Sequence, residues 1–95
     1  MKLTYSEIAG RQISTLAPQI KIGIREILEV IRQNPYCGKA LQRDLAEFRS
    51  APFKRYRIIY KVICKKKQIF IYLVEHREDI YENAARLLKE TKKRQ

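Results

Sequence analysis

Between Lys54 and Tyr81 the chain reads KRYRIIYKVICKKKQIFIYLVEHREDIY, and the cations here are the residues best equipped for chemistry. From Phe48 through Val74 there is no Asp or Glu, whereas Arg49, Lys54, Arg55, Arg57, Lys61, Lys65, Lys66 and Lys67 all fall in that run. Uncompensated cations interleaved with aromatic residues suit the gripping of a polyanion, and nucleic acid is the best-placed polyanion in a cell. Arg57 and Arg77 carry planar forks that match two phosphate oxygens at once. His76, the single histidine, exchanges protons near neutrality. Tyr81 brings a ring that stacks on a splayed base, or a hydroxyl.

Such a set can cleave RNA without a metal. A base takes the proton of the 2′-hydroxyl, an acid protonates the departing 5′ oxygen, and fixed cations hold the charge that builds on the phosphate oxygens. His76 and Lys54 both stand as candidates for moving the protons. A plainer reading stands beside each residue. A lone histidine at a strand end is commonly structural, Arg57 and Lys61 also fit a solvated face, and Lys65-Lys66-Lys67 reads most simply as an exposed turn. Tyr56, Tyr60 and Tyr72 fit half-buried sheet positions as well as stacking platforms.

Other chemistries lack their residues. No glycine-rich phosphate loop occurs among the three glycines, and neither H-E-x-x-H nor G-x-S-x-G is present. Cys37 and Cys64 are far apart and lack C-x-x-C spacing, so with one histidine no Cys/His zinc set forms. Both cysteines read as reduced thiols; no metal and no cofactor is expected. With 95 residues the chain has room for one hydrophobic core, so residues 1–95 are expected to be a single domain. The formal net charge of +11 repels itself within a compact fold, which points to an anionic partner. No apolar run reaches a bilayer-spanning length and the first residues lack a secretory pattern, so a cytoplasmic protein without membrane contact is expected.

The elements that must hold these residues follow from spacing. Lys2 to Tyr5 is a short strand, and Ser6 offers an N-cap to a helix beginning near Glu7 that Gly10 weakens. Pro18 suits the first turn of a second helix, where Ile20, Ile24, Ile27, Leu28 and Ile31 make one apolar stripe until Asn34-Pro35 stops it. Residues 36–44 read as a loop. Leu45, Phe48 and Ala51 suggest a strand cut at Pro52. Strict alternation predicts strands from Tyr56 to Ile63 and from Gln68 to His76, joined at Cys64–Lys67 and covered on one side by the helices. In that hairpin Arg57 falls opposite residues 74–76. Ile80, Ala84, Leu87 and Leu88 mark a last helix, with Lys92–Gln95 expected to be loose. The fold class is α+β: a helical hairpin packed on a small antiparallel sheet, with a C-terminal helix.

Asn34-Pro35, Gly38, Leu41, Leu45, Phe48-Arg49-Ser50, Arg55-Tyr56-Arg57-Ile58-Ile59-Tyr60 and His76-Arg77-x-x-Ile80-Tyr81 together resemble the RelE/ParE superfamily of bacterial toxins from toxin–antitoxin pairs. The resemblance implies the RelE-like fold and one of two activities. RelE-like members are endoribonucleases that enter the ribosomal A site and cut mRNA; ParE-like members bind DNA gyrase and have no nuclease site. The H-R-x-x-I-Y run favours the first. It implies phosphate-binding roles for Arg57 and Arg77 and a stacking or proton-handling role for Tyr81. His76 or Lys54 would move protons, and Arg49, Arg55, Lys61, Lys65, Lys66 and Lys67 would contact RNA. It also implies a small acidic antitoxin that wraps or displaces the C-terminal helix.

Overall fold

The two alternating runs form the strands their spacing predicts, at the centre of a five-stranded sheet. A computed structural model describes residues 1–93. Its elements are β1 (Lys2–Tyr5), α1 (Glu7–Ser14), α2 (Pro18–Gln33), β2 (Lys39–Ala40), β3 (Arg49–Phe53), β4 (Tyr56–Ile63), β5 (Gln68–His76) and α3 (Ile80–Lys93). Single 3-10 turns occupy Arg43–Leu45 and Cys64–Lys66. Arg94 and Gln95, the end of the tail expected to be loose, lie outside the described residues.

The strand order is β1-β5-β4-β3-β2. The meander β2 to β5 is antiparallel, but β1 pairs parallel to β5, with Lys2 opposite Gln68 and Tyr5 opposite Ile71. The sheet is therefore mixed, where a purely antiparallel one was expected. The free outer edge of β5 needed a partner, and the chain from β1 to β5, which passes through both helices and β2 to β4, is long enough for parallel pairing. Ser6 starts α1 where β1 ends. Its Oγ accepts from the Ala9 amide at 2.9 Å and donates to the Tyr72 carbonyl at 2.6 Å, capping the helix and tying it to β5.

Helices cover both faces of the sheet, not one. On the first face, Ala9 of α1 and Ile24, Leu28 and Ile31 of α2 pack on Ile58, Tyr60, Ile69, Ile71 and Val74. On the second, Ile80 and Ala84 of α3 pack with Leu45, Phe48, Ile59 and Leu73. Phe53 lies so close over α2 that a Cβ added at Gly23 would stand 1.9 Å from the ring. No helix among the described residues is long and apolar enough to cross a membrane.

Two boundaries differ from expectation. Leu45 belongs to a 3-10 turn, not to a strand, and β3 starts at Arg49 and runs through Pro52. β2 pairs only with Arg49 and Ser50, so Pro52 sits where β3 is an edge and its missing N–H leaves no ladder partner stranded. The loop expected over 36–44 contains the two residues of β2, held against β3.

Candidate active site

The register places three strands' residues side by side. Pro52 of β3, Arg57 of β4 and Glu75 of β5 form one cross-strand row, and Lys39, Ser50, Ile59 and Leu73 form another. Directly paired residues project to the same face, and Ile59 and Leu73 pack beneath α3. Both rows therefore open on the α3 side. There Lys39, Leu41, Ser50, Pro52, Arg57 and Tyr81 line a cleft of about 290 Å³.

Each side chain is held by something specific. Arg57 is half-buried, and its Nη1 donates to the carbonyls of Tyr56 at 2.9 Å and Lys54 at 3.2 Å. Tyr81 extends from the first turn of α3, where its hydroxyl shares a hydrogen bond of 2.9 Å with Oγ of the buried Ser50. Arg77 continues the β4–β5 ladder, its amide donating to the Arg55 carbonyl at 2.7 Å. Its side chain is exposed in the turn that follows β5, outside the lining of the cleft. Lys54 sits at the β3–β4 turn with a φ of 53°, a left-handed conformation that costs a lysine more than a glycine.

Lys39 is positioned by a loop pinned to the sheet. The Tyr60 hydroxyl accepts from the Gly38 amide at 2.9 Å and donates to the Pro35 carbonyl at 2.8 Å. Arg49 Nη1 donates to the Gly38 carbonyl at 2.7 Å, with its guanidinium 5.1 Å from the centre of the Tyr36 ring. Arg49, a candidate RNA contact by sequence, thus spends its fork holding this loop.

Burial pushes the Tyr60 phenol up to about 12, against the lowering effect of the Gly38 amide that it accepts. An unfolded tyrosine ionises near 10. Between those values the unfolded chain releases a proton that the folded chain keeps. The stabilisation is complete below pH 10 and is lost as pH rises towards 12. The melting temperature is accordingly expected to fall across that window. A Tyr60→Phe variant should melt lower at neutral pH, because the Gly38 amide and Pro35 carbonyl lose their partner, and should lose less on the alkaline side. Thermal melts of both proteins from about pH 8 to 12 check it.

His76 is not in the cleft. It pairs with Tyr56, and the two rings lie 4.6 Å apart on the opposite face of the sheet. The cause is a bulge. Ile59 pairs with Leu73 and Tyr60 with Ile71, which leaves Tyr72 as an extra residue in β5. One inserted residue exchanges the faces of everything beyond it. Strict alternation from the Cys64–Lys67 turn would set Val74 opposite Arg57 and His76 on the same face; the bulge sets Glu75 opposite Arg57 and turns His76 away.

The remaining predicted residues lie elsewhere. Arg55 and Lys54 are exposed at the β3–β4 turn. Lys61 arches over the rings of Phe48 and Phe70 at 5.5 and 5.9 Å. Lys65, Lys66 and Lys67 are exposed at the far end of β4 and β5. Cys37 and Cys64 are free thiols at the surface. Sequence reasoning passed over Lys39, Ser50, Glu75 and Asn83. Ser50, a polar residue within an apolar strand, and Glu75, the first acid after a 27-residue run from Phe48 to Val74 without one, were the available signals.

Comparison with known proteins agrees with this architecture. A family model described as the ParE toxin of the type II toxin–antitoxin system parDE matches residues 2–81. Toxin RelG of Mycobacterium tuberculosis is 32% identical over 79 residues, covering 81% of this chain and 91% of that protein. The toxin in the crystal structure of the Mycobacterium tuberculosis RelBE2 toxin–antitoxin complex superimposes with a TM-score of 0.73 at 28% identity, over 80% of this chain and 96% of that one. The isolated E. coli RelE toxin shares the fold with a TM-score of 0.71 at 20% identity, over 92% of this chain and 97% of its own.

Proposed function

This chain belongs to the ParE toxin family of type II toxin–antitoxin systems, and from that premise we propose that it is a ribosome-dependent mRNA endoribonuclease that arrests translation. The observation that carries the reading is the cleft itself: Arg57, Lys39 and Tyr81 line one space, with Arg77 exposed in the turn just beyond β5. A gyrase-binding surface has no need for a guanidinium fork, an ammonium and an aromatic hydroxyl converging on one point; a phosphodiester does.

In this reading Arg57 and Arg77 hold the scissile phosphate and stabilise the charge that develops on it. Tyr81 orients the flanking nucleotide and brings its hydroxyl within reach of the reacting group for proton handling. Lys39 and Lys54 add charge at the rim. The chemistry is acid–base catalysis by these side chains, without a metal, and leaves a 2′,3′-cyclic phosphate. Lys65, Lys66 and Lys67 meet ribosomal RNA backbone at a distance from the cleft, a contact that weakens with salt. The partner in the resting state is an acidic antitoxin, as the RelBE2 and E. coli RelBE toxin–antitoxin complexes suggest. Its negative charge would offset the net +11 of this chain.

The family model bears the ParE name, and so a gyrase-directed activity is the second reading. Primer extension on cellular mRNA after brief induction separates the two. Cuts in phase with codons are expected. DNA breaks on intact mRNA would replace the proposal with the gyrase reading.

A further inference from the structure

We propose that Glu75 is a catalytic residue of this cleft, the acceptor of the 2′-hydroxyl proton; the assignment rests on the ribonuclease reading above. Glu75 ends the acid-free run and is the carboxylate that the Tyr72 bulge turns towards Arg57. Directly opposed residues on one sheet face stand about 5 Å apart at Cβ. Yet among the described residues no ion pair joins Glu75 to Arg57. Arg57 Nη1 is turned to the Lys54 and Tyr56 carbonyls, and Glu75 Oε1 accepts from Asn83 Nδ2 of α3 at 2.7 Å. The carboxylate is thus oriented by a neutral amide, and Oε2 carries no hydrogen bond among the described residues.

A carboxylate beside a phosphate site weakens binding of the phosphate by repulsion. If Glu75 merely anchored α3 through Asn83, glutamine would give the same hydrogen bond without that repulsion. The charge is useful where a proton must be taken. The other candidates are worse placed: His76 leaves on the opposite face, and Lys54 is exposed at the β3–β4 turn, outside the lining of the cleft. The register sets Arg57 of β4 opposite Glu75; His76, Arg77, Glu78 and Asp79 follow it in the chain, and Tyr81 lies in the first turn of α3.

The step balances. Glu75 Oε2 takes the 2′-hydroxyl proton as the 2′ oxygen forms its bond to phosphorus and the bond from phosphorus to the 5′ oxygen breaks. The departing 5′ oxygen takes a proton from the Tyr81 phenol, which regains one from water. Glu75 returns its proton to water. The products are a 2′,3′-cyclic phosphate and a 5′-hydroxyl.

The test is the single-turnover cleavage rate of mRNA on programmed ribosomes, measured against pH. For Glu75→Gln the expected result is a loss of about 10²-fold or more near neutrality, with the rise of rate on the acid side flattened. Ribosome-bound toxin should be retained or increased, because a repelling charge has gone. A Glu75→Gln protein that cuts at the wild-type rate with an unchanged acid limb would overturn the assignment and leave Glu75 as a helix anchor. Should that variant not fold, Glu75→Asp provides the second readout: a slower rate with the acid limb preserved is expected, and loss of the limb would overturn the proposal. Absence of cleavage by the wild-type protein in the same assay would instead overturn the ribonuclease reading, and this assignment with it.

Discussion

Replacing Arg57 by lysine is expected to slow mRNA cleavage about 10²- to 10³-fold, the scale attached to losing one preorganised donor to a developing oxyanion. The folded protein should survive almost unchanged. Two carbonyl groups at a strand end, those of Lys54 and Tyr56, lose a shared donor. Water reaches that end of the strand, so the cost is about 1 kcal/mol. What lysine cannot restore is geometry. The guanidinium is locked by those carbonyls through one nitrogen, which leaves the rest of its fork fixed in direction; an ammonium on four rotatable bonds supplies charge without aim. Single-turnover cleavage and a thermal melt on the same preparation check both halves. Wild-type cutting by Arg57→Lys would mean that bare positive charge suffices, and the cleft would lose its claim to be the reacting centre.

The faces of the sheet explain what was legible before any coordinates. β4 and β5 were, because their alternation is long and a run of lysines marks the turn; Arg57 falls opposite Glu75, inside the span 74–76 that the turn implies. The family was legible too, from Tyr56-Arg57-Ile58-Ile59-Tyr60 and His76-Arg77. The bulge was not. Ile69 to Val74 is apolar on both faces, so an extra residue at Tyr72 leaves no break in the hydrophobic pattern, and nothing local announces the exchange of His76 for Glu75. β2 was invisible for a different reason. Two residues cannot display a period, and their pairing with Arg49 and Ser50 is imposed from outside by Tyr60 and Arg49. The start of β3 was misread because Leu45 and Phe48 are buried by a 3-10 turn beneath α3 and not by a strand.

Gly38→Ala is expected to lower both stability and cleavage, and a second substitution should recover part of the loss. A Cβ at this position would stand 2.6 Å from the Tyr60 hydroxyl and 3.0 Å from the Ser50 carbonyl. Neither neighbour yields easily. Tyr60 is fully buried, and Ser50 is laddered to Ile59 on one side and Lys39 on the other. The loop must therefore lift, breaking the bond from the Gly38 amide to Tyr60 and displacing Lys39 from the cleft. Overpacking together with an unpaired buried polar group places the cost at about 2–4 kcal/mol. Tyr60→Phe alone should cost about 1–3 kcal/mol by leaving the Gly38 amide and Pro35 carbonyl unpaired. In the double variant the colliding oxygen is absent, so the two losses should fall short of adding, by about 1 kcal/mol or more. Denaturant unfolding of the four proteins yields that coupling. Strict additivity would mean that the Ser50 carbonyl, not the tyrosine hydroxyl, sets the limit on residue 38, and the pin on Lys39 would have to be sought in Arg49 instead.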